Sequence, residues 1–276
     1  MASIKMLSQG KAVDLSIRGE LSEIADSVNQ ASQILSRQNK ARANWISGVS
    51  HDIRTPLSMI MGYAQRIASD NTVNDNVRQE AEIVQTQSAK IKDLVQDLNL
   101  VSQLEYEMQP LHREPVRLSK LLRSYAADLL NAGIGPNYSV DVEISSDAET
   151  AVMECDARLI SRAINNLVQN SIHHNPQGCT IRLRLDYSDS AISLTVADNG
   201  VGLSKEKLRE LEKPHYMEST DERLDLRHGL GILLVRQIVE AHRGTMEILS
   251  EPHNGYQTVL TFSRRSRCKD AKNYDC

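Results

Sequence analysis

The stretch SGVSHDIRTPLS, residues 47–58, places chemically distinct side chains close together on a predicted helix. His51 is followed at once by an acid, Asp52, and one helical turn later by a hydroxyl, Thr55. An imidazole changes its charge near neutral pH, so such a residue is a candidate nucleophile or proton carrier. Pro56 then removes a backbone hydrogen bond and predicts a loosened or bent helix. His51 is therefore either a chemical participant or an exposed helix histidine without a chemical role.

A second group of polar side chains lies on an amphipathic helix predicted at residues 156–174. Asn166 and Asn170 are one turn apart and share a face, although asparagine stabilises a helix interior poorly. This pair suggests a ligand, and amide oxygens coordinate Mg²⁺, so Asn170 is the candidate metal residue. His173 and His174 could approach phosphate or ribose, but adjacent helix positions diverge too far to share one ion. The alternative is a helix face in contact with solvent.

The sequence DNGVGL, residues 198–203, directly follows a predicted strand. Asp198 at the strand end can accept a hydrogen bond from an exocyclic amine such as that of adenine. Gly200 and Gly202 allow the backbone to approach a neighbour closely and to adopt positive φ. The alternative is an ordinary tight turn.

A glycine element, GLG, opens the last predicted helix. At a helix N-terminus, Gly229, Leu230 and Gly231 would leave free amides at the positive end of the dipole, which suits phosphate groups. A GLG element by itself is only a weak indication of phosphate binding. A helix with paired amides, an acid at a strand end and a glycine-rich helix start, in this order, together indicate a nucleotide site.

Two long amphipathic helices are predicted to position His51. The first has an apolar stripe with spacings of three or four residues: Ile46, Val49, Ile53, Leu57, Ile60, Ala64 and Ile67. Turn and cap residues at 69–75 break the helix, and a second stripe follows in residues 84–108. These features predict an antiparallel hairpin. A hairpin alone cannot bury both stripes, so we expect a homodimer that forms a four-helix bundle.

Pro110 and Pro115 predict a linker, and we expect the hinge of the molecule near residues 107–115. Beyond it, helical segments with Asp156 as a helix N-cap alternate with short period-2 strands. The predicted strands are YSVDVEI, AVMEC, CTIRLRLDY, AISLTVAD, TMEILSE and YQTVLTF. Residues 199–228 are predicted to be a long loop. The fold class is therefore α+β multidomain, with a dimeric helical bundle followed by an α/β sandwich.

Composition sets limits on function. The net charge is −4 over 276 residues, which gives no indication of nucleic-acid or membrane-surface binding. Four scattered cysteines form no CxxC pair, which favours a reducing compartment over a zinc site. No apolar run reaches the roughly 18 residues that would cross a bilayer.

These motifs resemble those of sensor histidine kinases of two-component systems, over residues 37–262. WISGVSHDIRTPL resembles the H box, NNLVQN the N box, DNGVGL and HGLG the glycine boxes, and GYQT the last glycine element. The ATP-binding domain of this family shares its fold with gyrase and MutL. Upstream, residues 7–35 are similar to the C-terminal half of a HAMP relay domain.

The resemblance implies a role for each motif. His51 would take the γ-phosphoryl group of ATP on Nε2, while Asp52 would accept the hydrogen bond from Nδ1–H. Thr55 would aim water at a phosphoryl group on a partner, which implies phosphatase activity as well. Thr258 would lie near the nucleotide. The implied cofactors are ATP and Mg²⁺, and the implied partners are a second copy of the chain and the receiver domain of a response regulator.

We therefore expect a HAMP-like segment at 1–37, a phosphotransfer hairpin at 38–109, an ATP-binding domain at 110–265 and a tail at 266–276. The chain as given is expected in the cytoplasm, with the full-length protein held in the bacterial cell membrane by an upstream segment. The family's phenylalanine-rich F box is unrecognisable, and Tyr216 is the candidate substitute. Two alternatives stay open: mainly a phosphatase with ATP as a conformational ligand, or a nucleotide-gated dimeric scaffold without phosphoryl transfer.

Overall fold

The computed structural model describes residues 22–106, 108–188, 191–212 and 226–263. The chain divides into two compact units, with the division between Gln109 and Pro110. Among the described residues, no helix combines the length and the hydropathy that are needed to span a bilayer. Tyr216 and residues 1–21 of the predicted HAMP-like segment lie outside the described residues.

The first unit is a helical hairpin of α1, Ser22–Ser69, and α2, Asp75–Glu105. The predicted break between them is confirmed. Asn74 caps α2, because its side chain accepts a hydrogen bond of 2.9 Å from the Val77 amide. Helix α1 continues through Pro56 over its 48 residues, so this proline does not end the helix.

Small side chains dominate the contact between the two helices. The buried residues of the hairpin are Ala25, Ser32, Ala43, Ile46, Ser50, Leu57, Ala64, Ala81, Ser88, Val101, Ser102 and Leu104. Most of the predicted first stripe is not among them. Val49, Ile53, Ile60 and Ile67 are 37–46% exposed in the single chain. The hairpin thus leaves an apolar face uncovered, as the stripe length had predicted.

The second unit is built on a five-stranded sheet. Its helices are α3, Leu118–Asn131; α4, Ala157–His174; α5, Lys205–Glu212; and α6, Leu226–Ala241. Its strands are β1, Glu114–Arg117; β2, Ser139–Ile144; β3, Val152–Cys155; β4, Thr180–Tyr187; β5, Ala191–Asp198; β6, Gly244–Ser250; and β7, Tyr256–Ser263. The sheet order is β2-β4-β5-β7-β6, and β1 pairs separately with β3. Only β2 and β4 run parallel among these pairs.

Alternation along the central strands shows where the core lies. Buried residues alternate with less buried ones along most of β4, β5 and β7. Among the largest fully buried side chains are Leu183, Leu194 and Leu260 on the sheet and Ile164 and Leu234 on α4 and α6. Helices on one face of a mixed sheet form the predicted α/β sandwich, so this part of the fold class is confirmed. Asp156 caps α4 as expected, accepting from the amides of residues 158 and 159.

The prediction that residues 199–228 form a loop is wrong in part. Helix α5 lies inside this range, because Lys205–Glu212 consists of strong helix formers. Its first turn begins at Ser204, whose carbonyl accepts from the Leu208 amide at 3.0 Å. The Arg236 guanidinium donates to the Leu211 carbonyl at 3.1 Å and so holds the last turn against α6.

The predicted start of the last helix is also corrected. Helix α6 begins at Leu226, three residues before the glycines. The amides that lack an intrahelical partner precede the fourth helical residue, which is Gly229, so neither Gly229 nor Gly231 offers a free amide.

The predicted hinge at residues 107–115 is longer than the structure allows. Pro115 belongs to β1, where it lies opposite Glu154 of β3, and an edge strand tolerates proline. The His112 amide donates to Asp156 Oδ2 at 3.1 Å, and the Arg113 guanidinium donates to the Ala241 carbonyl at 3.0 Å. Residues from 112 onward are therefore tied to the second unit. Residue 107 lies outside the described residues.

Candidate functional site

His51 lies on the open surface of α1. Its side chain is 74% exposed and that of Asp52 is 86% exposed. His51 Nδ1 is 3.5 Å from Asp52 Oδ1, at the outer limit of a hydrogen bond. A carboxylate in this place favours the tautomer with hydrogen on Nδ1, which leaves the Nε2 lone pair free to attack an electrophile. Thr55, also exposed, lies one turn further along the helix.

Asp198 ends β5 and is nearly buried, with 9% exposure. Its Oδ2 accepts a hydrogen bond of 2.7 Å from the Ser171 hydroxyl of α4. Its Oδ1 accepts from the Gly200 amide at 2.9 Å and from Asn175 Nδ2 at 3.4 Å. A carboxylate held by neutral donors inside the fold is a fixed acceptor, which suits recognition of a donor group on a ligand.

Two hydroxyls beside Asp198 lack partners. Tyr256 lies opposite Asp198 in the pairing of β5 with β7, and Thr258 follows two residues later on the same face. The Thr258 side chain is fully buried, and neither hydroxyl has a partner at strict hydrogen-bonding geometry among the described residues, although the two hydroxyls lie near enough for Thr258 to oppose the rise in the pKa of Tyr256. Burial raises the pKa of Tyr256 to about 12, so its hydroxyl stays protonated at neutral pH. Buried polar atoms without partners are rare in folded proteins, and a polar ligand would satisfy these two. The residues present therefore fit a nucleotide base.

The amide face of α4 meets the beginning of α6. Asn166 and Asn170 are half-buried, and a Cβ added to Gly231 would lie 3.1 Å from Asn166 Oδ1 and 3.6 Å from Asn170 Oδ1. Gly231 thus lets the two helices approach while both amides keep their places. The amide oxygens of Asn166 and Asn170 fit Mg²⁺, because an amide oxygen is a hard ligand that can supplement waters and phosphate oxygens.

The other predicted site residues fall at the margins of this group. Gly229 is buried and Leu230 half-buried in the first turns of α6. His173 and His174 are exposed at the end of α4, with ring planes 79° apart. Gly202 has φ of +65°, as predicted for one of the two loop glycines. Gly200 instead serves close approach, because a Cβ there would overlap the Asn175 amide.

Sequence reasoning missed three residues of the site: Ser171, Asn175 and Tyr256. Ser171 and Asn175 are small polar residues at the end of an amphipathic helix, where they resemble ordinary capping residues. Their spacing of four places Ser171 and Asn175 on one face, next to the face of Asn166 and Asn170, and this was the signal available. No sequence pattern marked Tyr256 as a site residue, because the direction of its side chain depends on the pairing of β7 with β5.

The fold and site define a class of protein with a nucleotide-binding α/β unit and a helical hairpin that presents a histidine. Residues 41–107 match the family described as the His Kinase A (phospho-acceptor) domain. Residues 155–266 match the family described as histidine kinase-, DNA gyrase B- and HSP90-like ATPase. The chain therefore belongs to the sensor histidine kinases, and the family resemblance of its motifs is confirmed.

Curated relatives agree with this assignment. Sensor histidine kinase YvrG of Bacillus subtilis is 27% identical over 88% of this chain and 43% of its own length. The phosphate regulon sensor protein PhoR of Pseudomonas aeruginosa is 29% identical over 80% of this chain and 50% of its own. The chain thus spans half or less of the length of these two relatives.

Solved structures show the same fold. The full-length ShkA structure in complex with AMPPNP has a TM-score of 0.64 and 20% identity, and it matches 79% of this chain and 45% of its own. Histidine kinase ThkA in complex with response regulator protein TrrA has a TM-score of 0.55 and 19% identity, over 82% of this chain and 64% of its own.

Proposed function

We propose that this chain is the catalytic part of a sensor histidine kinase that transfers the γ-phosphoryl group of Mg·ATP to His51. The observation that carries this proposal is the exposed His51 imidazole beside the Asp52 carboxylate, in a chain that also has an ATPase-type site. An exposed imidazole with one nitrogen held by an acid suits covalent catalysis.

The second unit would bind the nucleotide. Asp198 would accept a hydrogen bond from the base, and the buried Thr258 and Tyr256 hydroxyls would satisfy further polar atoms of the ligand. The Asn170 amide oxygen would contribute to holding Mg²⁺, which when bound neutralises charge on the phosphates. His173 or His174 would contact phosphate or ribose. Support for ATP as the ligand comes from the family match and from the AMPPNP named in the ShkA complex.

The chemical step needs little from the protein beyond positioning and charge neutralisation. His51 Nε2 would form a bond to the γ-phosphorus while the bond from that phosphorus to the β,γ-bridging oxygen breaks. ADP leaves with the electron pair of the broken bond. Asp52 would hold the proton on Nδ1 throughout and so stabilise the positive charge that develops on the ring.

A homodimer is part of the proposal. Val49, Ile53 and Ile60 of α1 and Ile91 of α2 are all at least 37% exposed, although the hairpin buries smaller residues in its own interior. An apolar face of this kind is costly in water, and a second hairpin would cover it in a four-helix bundle.

The partner in the next step would be the receiver domain of a response regulator, which accepts the phosphoryl group on an aspartate. The response regulator protein found in complex with ThkA supports this class of partner. Phosphatase activity toward the same partner is a second candidate function. It is favoured by the exposed Thr55 one turn from His51, where its hydroxyl could orient a water molecule.

We further propose four segments with bounds at 1–37, 38–109, 110–265 and 266–276, the first of them HAMP-like. We also propose a cytoplasmic location for the chain as given, and a membrane segment elsewhere in the full-length protein. Support comes from the relatives, two of which are named as sensors.

The test is labelling with γ-labelled ATP and Mg²⁺, in parallel for wild type, His51→Gln and Asn170→Ala. We expect label on the wild type alone, removed by acid and stable to alkali, as a phosphoramidate requires. Label that persists in His51→Gln would refute the assignment of the acceptor. Nucleotide binding without label would favour the scaffold, and rapid Thr55-dependent dephosphorylation of a regulator without label would favour the phosphatase.

A further inference from the structure

The carboxylate of Asp198 is held by three donors, two of which come from α4 and the turn after it. Ser171 Oγ donates to Oδ2 at 2.7 Å, and Asn175 Nδ2 and the Gly200 amide donate to Oδ1 at 3.4 Å and 2.9 Å. Ionised carboxylates offer about four lone-pair positions. The described contacts occupy three, which leaves one position for a donor on a ligand.

The Asn175 amide is fully used within the fold. Its Nδ2 also donates to the Ser171 carbonyl at 2.8 Å, and its Oδ1 accepts from the Val201 amide at 2.9 Å. The side chain is 4% exposed. Rotating the amide would place its NH₂ group against the Val201 N–H, so only one orientation satisfies every partner. Asn175 thus joins α4 to the loop that follows Asp198.

Gly200 shows how tightly this loop lies on Asn175. A Cβ on Gly200 would overlap the Asn175 side-chain oxygen and nitrogen. The position of the loop, and with it the direction of the Asp198 carboxylate, therefore depends on a buried side chain whose polar atoms all bond within the fold.

We propose that Asn175 and Ser171 are positioning residues that fix the Asp198 carboxylate for one task, the recognition of the exocyclic amine of adenine. This inference rests on the proposed function of ATP binding. A fixed carboxylate accepts from the N6 amine of adenine, whereas guanine presents a carbonyl oxygen at that position, and two acceptors repel one another. Ser171 and Asn175 would therefore set the preference for ATP over GTP.

Asn175→Asp is the sharpest substitution, because it is isosteric and keeps the acceptor for the Val201 amide. It removes the donor to Asp198 and puts a second carboxylate in its place. The matched control is Asn165→Asp, which makes the same change on α4 at an exposed asparagine whose Oδ1 accepts from the Tyr125 hydroxyl at 3.2 Å. Ser171→Ala removes the other donor and leaves the Asn175 bonds in place, so it serves if Asn175→Asp fails to fold.

The experiment measures binding of AMPPNP and GMPPNP by the full chain in Mg²⁺, together with KM and kcat for labelling of His51. The adenine amine's own hydrogen bond to the charged Asp198 carboxylate would be worth about 1.5–3 kcal/mol, and it is lost when the carboxylate turns away. We therefore expect Asn175→Asp and Ser171→Ala to weaken AMPPNP binding by about tenfold or more. GMPPNP binding should change little, so the ratio of the two affinities falls. KM for ATP should rise while kcat at saturating ATP stays within about twofold, and Asn165→Asp should match wild type.

A purely structural role would give a different result. If both variants lower the thermal midpoint and leave the ratio of AMPPNP to GMPPNP affinity unchanged, the positioning role is refuted. If they bind both nucleotides as wild type does, it is refuted as well, while the proposed function stands. Failure of wild type to bind AMPPNP would overturn the proposed function, and this inference with it.

Discussion

His242 should make the stability of the second unit depend on pH. It follows the C-terminus of α6, where its Nδ1 lies 2.7 Å from the Ile238 carbonyl and its Nε2 accepts from the Asp156 amide at 3.0 Å. These partners fix the neutral tautomer with hydrogen on Nδ1. Protonation would set an N–H on Nε2 against the N–H of Asp156, at the residue that also caps α4.

Burial is the main cause that lowers the pKa of His242, with the Arg113 guanidinium acting in the same direction. The hydrogen bond to Ile238 and the Asp156 carboxylate act against it, but the net shift is downward from 6.5. The unfolded chain therefore binds a proton at a higher pH than the folded chain does. The stabilisation is complete above about pH 6.5 and is lost as pH falls from there toward the folded pKa. The slope from this one group cannot exceed about 1.4 kcal/mol per pH unit.

Two substitutions separate the effect of charge from that of the hydrogen bond. In His242→Gln the amide oxygen can take the place of Nε2 and accept from Asp156, but it does not titrate between pH 5 and 8. His242→Asn is too short to reach Asp156 and leaves that buried amide without an acceptor, which costs about 1–3 kcal/mol at every pH.

The assay is urea unfolding followed by far-ultraviolet circular dichroism at pH 7.5, 6.5 and 5.5. We expect the free energy of unfolding of wild type to fall relative to His242→Gln as pH decreases, while His242→Asn stays lower than both at pH 7.5. A constant difference between wild type and His242→Gln across this range would refute the reasoning about the neutral tautomer.

Two more predictions follow from buried and exposed groups. Thr258→Val removes a buried hydroxyl, so the free energy of unfolding of the unliganded protein should rise by about 1 kcal/mol in urea. The same substitution should weaken AMPPNP binding in calorimetry. Unchanged binding would place the nucleotide elsewhere. Ile53→Glu puts a charge on the exposed apolar face of α1 and should give a monomer in light scattering at a concentration where wild type and the control Gln79→Glu are dimers. A dimer that survives Ile53→Glu would show that another surface mediates association.

Local sequence signals were enough to predict most of the helices and strands and the His51 motif. Helix periodicity, the break at residues 69–75 and the cap at Asp156 depend on contacts within a few residues, so each could be predicted and each is present in the structure. The His51 motif was equally visible, because the imidazole, the acid and the hydroxyl all lie within one turn of a single helix.

Tertiary structure decided the features that depend on distant contacts. Pro115 became part of a strand because β3 pairs with it, and residues 205–212 form a helix that Arg236 holds in place. The orientation of Asp198 is set by Ser171 and Asn175, which lie more than twenty residues earlier in the chain. The Tyr256 and Thr258 hydroxyls are buried without partners only because β7 pairs with β5. Sequence periodicity reports which face of an element is apolar, whereas the partners of a polar atom depend on how the elements pack.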